Sequence, residues 1–461
     1  MIRLLPLAAC AAFALPLPAA AQPAPDPVKL RDAALASDTL AWDIVEGLTT
    51  EVGQRLAATE AEARARAWAV RKLTALGFHN VHVETYQMPV WLRGEERAEV
   101  LGPSAQKLVL AALGNSGSTG ARPLEADVAY FATFADLQAS PAGSLAGKIA
   151  FIDHAMTATQ DGSQYGAFGA ARRQGPSLAA SKGAAAVLIR SIGTDHGRNP
   201  HTGVTNWAKD QVPIPAAALS VPDAEQLVRL VRRGPVRIRL TLTPQFAGQG
   251  ESGNVVADLP GTDPAAGMIL VGGHLDSWDL ATGAIDDGAG IAITTAAAKR
   301  VHDAGPHRRT IRVVWFGAEE PGGFGGNAFA KAHSGDRYVL AGESDEGADR
   351  VWRFHTSLPP ANKPLEDRIA QALAPIGITW TTGPGDFGTD VGPTIRGGVP
   401  GVGLQQSMLR YFDYHHTPDD TLDKIDPIQL RQNVAAWTAV IAMVALAPEE
   451  IGAPLSVNKA K

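Results

Sequence analysis

The sequence predicts an α/β fold: a mixed, mostly parallel sheet with helices on both faces, interrupted by an inserted smaller domain. Three observations lead there. Apolar runs without alternation occur at 268–271, 311–316 and 351–354, as strands covered on both faces require. An alanine-rich helical stretch at 288–301 separates the first two, the strand–helix–strand order of a parallel pair. Between about 103 and 246 the texture changes to glycine- and serine-rich turns with short strands.

Taken in order, residues 1–21 read as an export signal. Met1-Ile2-Arg3 gives a positive start, 4–18 is almost wholly apolar, and Ala19-Ala20-Ala21 supplies small residues before Gln22. A mature chain beginning near Gln22, secreted or periplasmic, is expected. Leu7-Ala8-Ala9-Cys10 matches a lipoprotein box only superficially, because the apolar core continues past Cys10. Cys10 is the only cysteine, so the mature chain has neither disulfides nor thiolate ligands. No later run approaches the roughly 18 apolar residues of a membrane span. With Lys+Arg 41 against Asp+Glu 47 there is no basic excess for a nucleic-acid partner.

Residues 57–77 carry a helix pattern: Thr59 and Glu62 make a capping box, Ala65, Trp68, Ala69, Leu73 and Leu76 recur at helical spacing, and Gly77 caps the end. The alternating 81–86 is a strand, with His79 and His82 as surface residues around its start. Within 103–246, GKIAFI at 147–152, SKGAAAVLI at 181–189 and VPIPAAAL at 212–219 resemble the protease-associated domain inserted in several exopeptidase families; any small strand-and-helix lid is the alternative. Nothing there clusters titratable groups at catalytic spacing.

The chemistry gathers where the later strands end, the place where open α/β sheets carry their sites. Gly273-His274-Leu275-Asp276-Ser277 follows the first strand, Asp286-Asp287 opens the alanine-rich helix, and Glu319-Glu320 follows the strand ending at Phe316. Glu343-Ser344-Asp345 and Tyr414-His415-His416-Thr417-Pro418-Asp419-Asp420 come later. Each piece alone has an ordinary reading: Asp286 and Asp287 equally suit a helix N-cap, Glu319-Glu320 a solvated turn, His415-His416 a surface pair. Together, two histidines and three or four carboxylates at the ends of one sheet suit a pair of divalent ions, one carboxylate bridging them.

GGHLDSWD, GAIDDGAG, FGAEE, GESDEG and YHHTPDDT, in that order, resemble the M28 family of zinc exopeptidases, and within it the secreted carboxypeptidase Q type. The resemblance implies a zinc exopeptidase-like fold split into 22–102 and 247–448 around the insert, with 449–461 as a tail. It implies two zinc ions per chain: His274 on one and His416 on the other, Asp286 bridging, Glu320 and Asp345 each completing a set. Asp276 orients the His274 imidazole and Glu319 is the general base, taking a proton from a metal-bridging water and passing it to the leaving amine. Many relatives place tyrosine where His415 stands; His415 then either donates a hydrogen bond to the oxyanion or simply packs. The implied substrate is a small peptide or dipeptide with free termini, and the implied assembly a homodimer. The glycine-rich 383–390 is expected to line the pocket. A serine hydrolase lacks its G-x-S-x-G elbow here. A single-zinc glutaminyl cyclase and a metal-free binding protein of the same fold are the remaining alternatives, and metal content separates them.

Overall fold

The unalternated apolar runs become the inside of a five-stranded sheet. The computed structural model describes residues 25–103, 105–382 and 385–452, so the expected export signal at 1–21 lies outside the described residues. Across the sheet the order is His79–Leu92, Gln245–Leu259, Thr310–Phe316, Met268–His274 and Tyr338–Glu343. The last three run parallel, and the first two pair antiparallel along one edge. At the other edge a bridge between Ala341 and Gly401 leads into a three-stranded piece formed by Thr379–Trp380, Val351–Thr356 and Val402–Gln406.

Alternation along Thr310–Phe316 sends Ile311, Val313 and Trp315 to one face and Val314 and Phe316 to the other. Helices Leu40–Gly47, Glu60–Ala75, Ala289–Asp303 and Pro427–Leu446 cover the first face, and Phe324–Ala332 covers the second. Ala289–Asp303 lies between the sheet and other helices and is buried from Ala289 through Ala298. Its alanines let those layers approach closely. Trp68 of Glu60–Ala75 stacks on Trp315, ring centroids 6.2 Å apart, and the Trp315 indole donates to Thr295 Oγ1 at 2.9 Å.

The expected capping box does not form. Thr59 is the N-cap, but its hydroxyl donates back to the Leu56 carbonyl at 2.6 Å. Glu62 turns inward instead, accepting from the Ala58 N–H at 2.7 Å and from the Ser252 hydroxyl at 2.5 Å. A tertiary partner on the neighbouring strand displaces the local one.

A second, eight-stranded sheet holds the residues between the two long edge strands. Its members run from Glu96–Val100 to Arg237–Leu242, so it starts ahead of the expected boundary at 103. Phe151, Leu188 and Leu240 belong to an apolar cluster on one face, Ile152, Ile189 and Leu145 to another. No described helix is long and apolar enough to cross a membrane.

Candidate metal centre and active site

Three parallel strands end at one edge, and their C-terminal continuations carry the site. His274 is the last residue of Met268–His274, Glu319 and Glu320 follow Thr310–Phe316, and Asp345 follows Tyr338–Glu343. Asp286 stands just ahead of Ala289–Asp303, and His416 follows the short helix Tyr411–Tyr414. Asp286 lies between the two histidines: its Oδ1 is 3.1 Å from His274 Nε2 and its Oδ2 is 3.2 Å from His416 Nε2. Asp345 Oδ1 is 3.6 Å from His274 Nε2, and Glu320 Oε2 is 2.9 Å from His416 Nε2. The five residues therefore form one cluster around the Asp286 carboxylate, which Asp287 joins beside His274 and Asp345.

Local hydrogen bonds explain why these atoms are free to meet. The two readings of the aspartate pair divide between its members. Asp287 does the capping, accepting from the Gly290 N–H at 3.1 Å and from the His274 N–H at 3.0 Å, which leaves the Asp286 carboxylate to face the histidines. The Asp286–Asp287 peptide is cis. The His274 Nδ1 faces the Asp276 backbone carbonyl at 2.9 Å, which directs Nε2 toward Asp286. The Asp276 carboxylate lies 3.6 Å from the same His274 Nδ1 and also accepts from the N–H groups of Glu319 at 2.9 Å and Glu320 at 3.3 Å, anchoring their turn.

Several contributors have roles that the sequence does not signal, Asp420 of the last motif among them. Arg55 is fully buried and donates to the carbonyls of Leu275, Thr282 and Gly283, tying together the loops that present His274 and Asp286. Burial pushes its guanidinium down to about 10 despite four nearby aspartates. Asp420 accepts from the N–H groups of Ala284 at 2.8 Å and Ile285 at 2.7 Å. The second sheet's segment also reaches in: the Thr202 N–H donates to the His416 carbonyl at 3.0 Å, and His416 Nδ1 faces the Thr202 carbonyl at 3.2 Å and Arg172 Nη1 at 3.4 Å. His201 Nδ1 meets the His415 carbonyl at 2.8 Å. None of these partners is near its target in the chain, so only the fold reveals them.

Electrostatically the site is a buried excess of carboxylates. Burial and neighbouring carboxylates push Glu319 well above the usual range, Glu343 to about 8 and Glu320 to about 7. Burial opposes charge on His274, but Asp345, Asp276 and Asp286 outweigh it and raise its pKa well above normal. Asp286 is held well below normal, the facing imidazoles of His274 and His416 overcoming its burial. His415 moves the other way, driven down by burial and by His416, on which it stacks at 3.5 Å. Asp286 Oδ2 and Asp345 Oδ1 are buried without a hydrogen-bond donor among the described residues. Buried acceptor oxygens facing imidazole nitrogens are the donor set a divalent cation takes. His415 Nε2 is also 3.6 Å from Asp286 Oδ2, close enough to join that set.

A cavity of about 440 Å³ opens over this cluster. Glu319, Glu320, Asp286, Asp345, His415 and His416 line it, while His274 and Asp276 lie behind. Asp386 to Thr389 of the glycine-rich loop form one wall and Tyr165, Arg172 and Arg173 another; Gly383 and Pro384 are outside the described residues.

The sequence model of peptidase family M28 matches residues 254–441, which include every residue of this cluster. Carboxypeptidase Q from Bos taurus is 34% identical over 402 residues, covering 86% of this chain and 84% of that protein. The chain belongs to peptidase family M28. As a member of M28 it is a metallopeptidase. Carboxypeptidase Q from Homo sapiens matches over the same shares of both chains, again at 34% identity. The M28 fold extends through the second sheet: a peptidase M28 precursor from Shewanella amazonensis SB2B superposes with a TM-score of 0.90 at 42% identity, over 93% of this chain and 98% of that one. An aminopeptidase from Aneurinibacillus sp. strain AM-1 shares the fold, with a TM-score of 0.62 at 20% identity over 93% of this chain and 97% of that one.

Proposed function

We propose that this M28 metallopeptidase is an exported di-zinc exopeptidase that removes a terminal residue from small peptides or dipeptides with free termini. The observation that carries the reading is Asp286, whose two oxygens face His274 at 3.1 Å and His416 at 3.2 Å. His274, Asp345 and Asp286 would hold one zinc, and His416, Glu320 and Asp286 the other. Zinc bound there supplies Lewis acidity for the scissile carbonyl and makes an attacking water acidic.

The chain's own groups perform the proton work. Glu319, on the cavity wall beside the half-sites, accepts the proton of the attacking water at its carboxylate and returns it to the leaving amine. Asp276 holds the Glu319 backbone, so the base is presented from a fixed turn. His415, neutral because burial and His416 disfavour its charge, donates a hydrogen bond to the developing oxyanion. Glu346 and Asp386, also on the cavity wall, suit a free α-amino group. The second sheet's segment acts as a protease-associated lid, consistent with Tyr165 and Arg172 on the opposite wall.

The test is a panel of di- and tripeptides with free and blocked termini, assayed before and after chelation and again after zinc is restored. Zinc-dependent release of single terminal residues is expected. Turnover of peptides blocked at both ends as fast as free ones, or turnover indifferent to chelation, would sink the reading. Export is tested separately: N-terminal sequencing of native protein should begin near Gln22, and an intact Met1 would contradict it.

A further inference from the structure

Apart from its histidines, the cavity carries two cationic side chains, Arg172 and Arg173, both from the helix Ser163–Arg173 of the second sheet's segment. They are not equivalent. Arg172 is buried and committed, donating to the Tyr165 hydroxyl at 2.7 Å and the Thr202 carbonyl at 3.3 Å beside His416. Arg173 is half-buried, and among the described residues its guanidinium has neither a hydrogen-bond nor an ion-pair partner. Burial and the charge of Arg172 lower its pKa, the mark of a cation that lacks compensation. Its position depends on a glycine. The guanidinium lies over Gly169, one turn earlier, where a Cβ would collide with both of its terminal nitrogens. A planar cation with free N–H groups, held in a cavity otherwise rich in carboxylates, is matched to one carboxylate of a ligand.

We propose that Arg173 binds the free C-terminal carboxylate of the peptide, making it the residue that confines this enzyme to substrates short enough to end inside the cavity. The inference rests on the peptidase reading above. A carboxylate could come from the C-terminus or from an acidic side chain, and the experiment separates the two.

Zinc-loaded protein is titrated calorimetrically with an alanyl-alanine analogue whose scissile carbonyl is replaced by methylene, as the free acid and as the carboxamide. An alanyl-glutamate analogue blocked as the carboxamide supplies the side-chain arm. The free acid is expected to bind about 10–100-fold more tightly than either amide, the range a charged hydrogen bond contributes. Arg173→Met should bring the acid-to-amide ratio near one. Gly169→Ala, which keeps the charge but displaces the guanidinium, should reduce the ratio in the same direction. In hydrolysis of Ala-Ala, KM should rise more than kcat falls in Arg173→Met, with zinc content preserved. An acid-to-amide ratio unchanged by Arg173→Met overturns the assignment. So does a blocked alanyl-glutamate analogue that binds as well as the free acid. Protein that binds the acid through Arg173 yet hydrolyses no peptide refutes the peptidase reading and leaves the carboxylate site standing. Hydrolysis with an unaltered ratio does the reverse.

Discussion

Adjacent glutamates at 319 and 320 face different tasks because one turn aims them apart. Ala318 takes a left-handed φ of 54°, and the Asp276 carboxylate pins the two following N–H groups. Glu320 then meets His416 at 2.9 Å while Glu319 lines the open cavity. Glu320→Ala should therefore lower zinc content and activity together, since it removes a ligand oxygen. Glu319→Gln should keep its zinc and lose about 10²–10⁴-fold in kcat with KM little changed, the span a lost general base costs. Elemental analysis beside kcat for the two variants checks both. His415 is tested in the same way: His415→Phe keeps the stacked ring, so an oxyanion donor predicts full zinc and reduced kcat. A drop in zinc content would make His415 a ligand instead.

At the scale of elements, the helix Glu60–Ala75 carries its own prediction. Burial raises the Glu62 carboxyl from 4.5 to about 7, although Ser252 and Ala58 donate to it. The protonated form is thus favoured in the folded state. Its contribution to stability is present below the unfolded pKa and disappears as pH rises from about 4.5 to about 7. Glu62→Gln should match the native protein at pH 4 and become the more stable by pH 7.5, by on the order of 3 kcal/mol. Paired thermal melts at the two pH values measure it, and curves that stay parallel contradict it. The same helix shows what a sequence withholds. Its period and its end at Gly77 were legible because they are local, whereas the capping box lost Glu62 to Ser252, 190 residues away. The site divides likewise. His274, Glu320 and Asp345 could be read because parallel strands must end together, and the motifs sit where those strands stop. Arg55, Thr202 and Arg172 could not, because each acts on backbone or imidazole far along the chain. Asp276 showed only part of its work in the sequence: its carbonyl and carboxylate both face His274, and the carboxylate also holds the neighbouring turn.

Across the whole molecule the second sheet's segment and the M28 sheet meet over His415 and His416. Thr202 and Arg172 contact His416, His201 contacts the His415 carbonyl, and Arg93 grips Asp279 through both carboxylate oxygens at 2.8 and 2.9 Å. The segment thus shapes the surroundings of His416. Arg172→Met removes the guanidinium that donates to the Thr202 carbonyl facing His416, and is expected to weaken zinc binding by about 10–100-fold, the cost of disturbing an outer partner of a metal ligand, while the protein stays folded. Zinc titration against a competing chelator reads that change, and native affinity in the variant would reduce the segment to a cover. The central claim, two metals sharing Asp286, is tested most directly by zinc stoichiometry on the native protein and on Asp286→Ala. The account predicts two zinc ions per chain in the native protein and the loss of tight binding at both half-sites in the variant. One zinc or none in the native protein, or two retained after Asp286 is removed, would contradict it.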